Sequence, residues 1–137
     1  MALTEARAAS VTAASVASAA MLDAAFVLVF VLIGRASHEE DLLGALQTWW
    51  PFLGGLAIGW FVMRAWRTPQ RVVWTGVGVW AVAVAGGMLL RVASGQGVQL
   101  SFVIVTALTL GVFLLGWRGV AALVRRGSRL RKSPSAS

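Results

Sequence analysis

Long apolar stretches alternate along the chain with short polar connections marked by proline or glycine. Four stretches, at residues 19–34, 49–64, 72–91 and 98–117, are each long enough or nearly long enough to cross a bilayer. A hydrocarbon core ~30 Å thick takes ~20 helical residues, and only helices or closed barrels satisfy the backbone inside it. The pattern predicts an all-α protein, an integral membrane four-helix bundle with no soluble domain outside its spans. On this division residues 1–18 are an Ala/Ser-rich cytoplasmic N-terminal segment, 19–120 the transmembrane domain and 121–137 a basic cytoplasmic tail. The N-terminal segment has too weak a periodicity for an amphipathic anchor and is expected to extend the first helix. A cleaved signal peptide is not expected, because Asp23 interrupts the apolar region and further spans follow.

The connections suggest which helices are neighbours. Arg67-Thr68-Pro69-Gln70-Arg71 reads as a tight turn in which Pro69 stops one helix and lets the next begin, so spans two and three are expected side by side and antiparallel. Ser94-Gly95-Gln96-Gly97 makes a similar turn. In the longer first loop Leu42, Leu43, Leu46, Trp49 and Trp50 recur at helical spacing, which predicts a short interfacial helix lying flat before span two. A faint duplication is also present. One hairpin leaves through Gly34-Arg35 and returns through Gly59-Trp60; the other leaves through Leu90-Arg91 and returns through Gly116-Trp117. Two tandem transmembrane hairpins related by an axis along the membrane normal would give this spacing, and so would chance echoes in glycine-rich apolar sequence.

Composition agrees with the hydropathy and narrows the chemistry. Hydrophobic residues make up 58% of the 137-residue chain and charged residues 12%, against ~25% charged in soluble domains. With no cysteine, disulfides, thiolate metal sites and cysteine nucleophiles are excluded. The net charge of +7 is unevenly placed. Of the twelve basic residues, all but Arg35 and Arg91 fall on the side of the N-terminus, which predicts both termini in the cytoplasm. The arginine-, alanine- and valine-rich composition points to a high-GC bacterial genome. Arg118, Arg125, Arg126, Arg129, Arg131 and Lys132 follow directly on the last span and are expected to meet anionic lipid headgroups, at ~1 kcal/mol each near the surface, rather than nucleic acid.

Packing signals are plentiful. Gly55-x-x-x-Gly59, with Gly78, Gly86 and Gly87, lets helix backbones approach closely, within one chain or across a dimer. Asp23 is the candidate intramembrane polar site. It precedes Arg35 by twelve positions, so at 1.5 Å per residue it is expected ~18 Å from that arginine, near the bilayer centre, facing the bundle interior. Alone there it would be favoured in its neutral form, either as a proton or cation relay or simply bonded to another helix. Arg35, His38 and Arg91 form a candidate outer-mouth site where an anionic or proton-carrying group docks, with headgroup snorkelling as the plainer reading. Pairing of Arg91 with Asp23 is not expected, because Arg91 ends its span at the opposite face. No metal site is assigned: His38 with Glu39, Glu40 and Asp41 lacks ligand spacing, and Ser37-x-x-Glu40 fits a helix capping box.

Asp23, Gly34, Ser37-His38, Pro51-Phe52, Gly59-Trp60, Leu90-Arg91, Ser101-Phe102-Val103-Ile104-Val105 and Gly116-Trp117-Arg118 occur in an order that resembles a small prokaryotic membrane-protein family, domain of unknown function 3054. The resemblance covers about residues 22–120. It implies a four-helix inner-membrane protein, with no activity or functional residues to carry over. The residue inventory favours a non-enzymatic protein without cofactors: an accessory or structural subunit that contacts lipid or a larger membrane-protein partner. The alternative is a small homodimeric proton- or ion-coupled transporter or channel using Asp23.

Overall fold

The structure, a computed structural model, describes residues 2–36 and 42–132, with residues 2–12 and 42 as backbone only. These residues form four α-helices: α1 (Ala2–Ala36), α2 (Leu42–Val62), α3 (Val77–Ala93) and α4 (Leu100–Lys132). A π-helical turn, Val72–Gly76, runs directly into α3. Ala13–Ala36, Val72–Ala93 and Leu100–Lys132 are long and apolar enough to cross a membrane. The 21-residue α2 is not among them although it has no charged residue. Its glycines and tryptophans, with Gln47 and Pro51, dilute its hydropathy.

Leu42, Leu43, Leu46, Trp49 and Trp50, expected to form a separate flat helix, are instead the first turns of α2, which continues through Pro51. Proline removes the N–H that would bond the carbonyl four residues earlier, here that of Gln47. Gln96, from the turn between α3 and α4, supplies a replacement by donating from Nε2 to the Gln47 oxygen at 3.0 Å. The helix therefore passes its proline with that carbonyl satisfied.

α2 ends where Arg64 takes a left-handed φ of 50°. The Ala65 amide then bonds back to the Trp60 carbonyl at 2.9 Å, the long-range bond of a Schellman cap. In the following turn the Thr75 hydroxyl donates to the Thr68 carbonyl at 2.6 Å, and the Gly76 amide reaches the Arg71 carbonyl at 2.8 Å. At the opposite end, Gly95 has a φ of 77°, which favours glycine, and reverses the chain between α3 and α4.

α2 and α3 are antiparallel, as the short turn predicts, and they approach most closely at glycine. A Cβ on Gly55 would lie 2.6 Å from the Ala83 oxygen and 2.7 Å from the Gly87 nitrogen, and one on Gly59 would lie 3.1 Å from the Val79 oxygen. Gly87 makes room for the Phe52 ring and Gly78 for Met63. The expected glycine faces thus meet within the chain. Val27, Phe30, Phe52, Val79, Leu110 and Leu114 bring all four helices into one buried cluster, with Phe30 edge-on to Phe52 at 5.5 Å. α1 and α4 are also antiparallel. They touch through stacked Phe26 and Phe113, 5.3 Å apart, near the end that carries both termini, and part towards the other end.

Candidate functional site

Asp23 lies on the inner face of α1 and has no exposed surface. Its carboxylate faces Arg118 of α4, which donates from Nη1 to Oδ1 at 2.8 Å and from Nη2 to Oδ2 at 2.6 Å. Two indoles complete the shell: Trp60 of α2 donates from Nε1 to Oδ2 and Trp117 of α4 from Nε1 to Oδ1, each at 2.8 Å. Four donors directed at two oxygens define an ionised carboxylate, since a carboxylic acid proton would point at another donor. This corrects the expectation of a neutral buried acid.

Arg118 is the second correction. It was expected among the headgroup arginines, yet it is fully buried and turned inward. Two more of its donors are occupied: Nε reaches the Pro69 carbonyl at 2.9 Å and Nη1 the Leu114 carbonyl at 2.8 Å. The physical reason is desolvation. Once Asp23 is drawn into the interior, leaving it unpaired is costly, and a guanidinium is the side chain whose fork matches its two oxygens. Backbone room for the long side chain comes from Gly76 in the π-helical turn, where a Cβ would lie 3.1 Å from Arg118 Cδ and 2.9 Å from Leu115 Cδ2. The link to Pro69 also fixes the depth of Asp23. The carboxylate is one arginine side chain away from the α2–α3 connection, nearer that end of the bundle than its middle.

The sequence singled out Asp23 but assigned it no partner. The available signal was the pair of Gly-Trp echoes, Gly59-Trp60 and Gly116-Trp117, and both tryptophans donate to Asp23. Trp117, although it ends the last apolar stretch, points its N–H inward. The other basic residues of the tail, Arg125, Arg126, Arg129, Arg131 and Lys132, are exposed along the last turns of α4.

At the end away from the termini, Arg35 and Arg91 line one cavity of about 500 Å³ together with Phe30, Val31, Gly34, Thr48, Gln99, Ser101, Phe102 and Val105. Arg35 donates to the Thr48 hydroxyl at 2.7 Å. Arg91 contacts Gln96 Oε1 at 3.1 Å and the Gly97 carbonyl at 3.4 Å, and its guanidinium lies 4.5 Å over the Phe102 ring. Arg91 does not reach Asp23, as expected from its position. His38, with Ser37 and the acids Glu39, Glu40 and Asp41, lies outside the described residues, as does the tail beyond Lys132.

An all-α bundle of four helices, three of them long and apolar enough to span a membrane, and locked by an interior ion pair, has the features expected of a membrane protein. Residues 20–121 match a protein family described as "Protein of unknown function (DUF3054)", and the chain belongs to that family. No curated protein and no solved structure matches the chain significantly.

Proposed function

We propose that the chain is a non-enzymatic, multi-pass membrane protein that works as an accessory or structural subunit, associating with lipid or with a larger membrane protein, and that both termini lie in the cytoplasm of a bacterial cell. What carries this reading is the sealing of Asp23. A proton relay has to present its acid to water or to a second exchanging group, whereas this carboxylate has no exposed surface and four fixed donors. Protonating it would leave the Arg118 charge buried without its counter-ion. The pair is built to hold α1 to α4, with indoles from α2 and α4 closing over it. Support for the orientation is the crowding of basic residues at the termini end, which persists with Arg118 withdrawn into the bundle.

Two measurements on the full chain test the reading. Liposomes containing the purified protein should hold imposed proton and potassium gradients as tightly as protein-free liposomes. Native mass spectrometry of protein taken gently from its own membrane should show a foreign chain or a lipid at fixed stoichiometry. Rapid collapse of either gradient, or a bare homo-oligomer, would overturn it.

A further inference from the structure

We infer that the cavity at the end away from the termini is a binding site for an anionic amphiphile, a phospholipid whose negatively charged headgroup lies against Arg91 and Arg35 and whose chain runs along the seam between α1 and α4. The inference deepens the proposed accessory role by naming the lipid class, and it rests on that reading of the chain as membrane-embedded.

The seam opens because it has no counterpart to the glycine contact between α2 and α3. There, backbone meets backbone at Gly55 and Gly86. Between α1 and α4 the corresponding turns carry Phe30, Val31, Phe102 and Val105, and a cavity of about 500 Å³ remains, within the range of small-ligand sites. Its mouth lies on the flank of the bundle, where Gly34 and Ser101 are exposed and Val105 is 57% exposed. In a bilayer this flank faces lipid rather than water.

Charge selects the occupant. Two guanidinium groups line one partly apolar space, where each raises the cost of the other. Arg91 is half-buried, none of its partners is acidic, and its Nε is buried with no partner at all. A phosphate oxygen against Arg91 would satisfy that donor and relieve the repulsion, using the fork that guanidinium offers to phosphate. Thr48 adds a hydroxyl already fixed to Arg35 at 2.7 Å. Phe30, Val31 and Val105 offer the first methylenes of an acyl chain an apolar track, which a free anion would leave unused.

The test uses the full chain, stripped of lipid in detergent and then supplied separately with phosphatidylglycerol, phosphatidylcholine of the same acyl composition, or inorganic phosphate. Native mass spectrometry reads the bound mass. The expected result is retention of phosphatidylglycerol about tenfold better than phosphatidylcholine, the equivalent of one charge-assisted hydrogen bond, with inorganic phosphate neither retained nor competing. Arg91→Gln should abolish that preference. Gly34→Leu gives an independent decision if the arginine variant folds poorly, because Gly34 lines the cavity and a Cβ there meets nothing within 4 Å, so that a larger side chain narrows the mouth without moving backbone. It should reduce retention as strongly while both arginines remain. A triple Arg129→Gln, Arg131→Gln, Lys132→Gln variant should keep the preference. Unchanged retention in Gly34→Leu, loss of preference only in the tail variant, or displacement by inorganic phosphate would each overturn the inference. Gradient-tight liposomes with no lipid preference would sink this site alone, and leaking liposomes with an intact preference would sink the accessory reading alone.

Discussion

Asp23 and Arg118 form the one ion pair among the described residues that is withdrawn completely from solvent, so that each charge depends on the other for compensation. Asp23→Asn keeps the shape but leaves the guanidinium uncompensated, and Arg118→Met leaves a bare carboxylate. Each single change should cost about 3–5 kcal/mol of stability. The double variant Asp23→Leu/Arg118→Met removes both charges and should be more stable than either single one, because a buried pair is often no better than an apolar replacement. Thermal unfolding in detergent, followed by circular dichroism across the four proteins, checks this; additive losses would mean that the pair does not act as a unit. Trp60→Phe and Trp117→Phe each delete one donor to a charged acceptor while keeping an aromatic ring, and should cost about 1.5–3 kcal/mol by the same assay.

Helix against helix, the decisive contact is that of α2 on α3. Gly55→Ala puts a methyl group where the Ala83 oxygen and the Gly87 nitrogen already stand, and neither can move without the helix that holds it. Forced separation of the two helices should cost about 1–3 kcal/mol, the usual scale of overpacking. Gly116→Ala in α4 meets nothing within 4 Å, and should be neutral or stabilising by up to about 1 kcal/mol through helix propensity. Equal effects at the two positions would show that Gly55 is not at a tight interface. The glycine pattern was legible in the sequence as a packing face, but its target was not, since identical small-residue spacing serves an intramolecular neighbour or a second copy. The start of α2 reads in the sequence as a separate flat helix, whereas the structure runs it unbroken through Pro51 into the span. Nothing local to Pro51 shows that Gln96, far along the chain, accommodates the carbonyl it frees.

The whole molecule has two unlike ends. At the termini end α1 and α4 are clasped and α4 continues as a basic helix to Lys132; at the other end the same two helices part around Arg35 and Arg91. With 33 residues at 1.5 Å each, α4 is ~50 Å long and exceeds a ~30 Å core, so its exposed arginines emerge beyond the bundle. Replacing Arg125, Arg126, Arg129, Arg131 and Lys132 together by glutamine should preserve the folded bundle while weakening its orientation, because each contributes about 1 kcal/mol at an anionic surface and they dominate the charge bias. A C-terminal reporter active on one side of the membrane reads the result: a single orientation for the natural chain and a mixture for the variant. A single orientation in both would remove tail charge as its determinant.

Hydropathy by itself determined the four apolar segments, their helical state and their short connections, because in an apolar solvent the backbone has few ways to satisfy its own hydrogen bonds. It also marked Asp23, since an acid within an apolar run stands out against its neighbours. Only the tertiary structure decided what Asp23 is. Its counter-ion is 95 positions away, in a stretch whose density of arginines made Arg118 look like one more surface charge. Charge patterning records which residues are basic, whereas burial follows from which helix face meets a partner. That choice was made by packing: by Gly76 leaving room for the side chain, and by two indoles, from α2 and α4, closing over the pair.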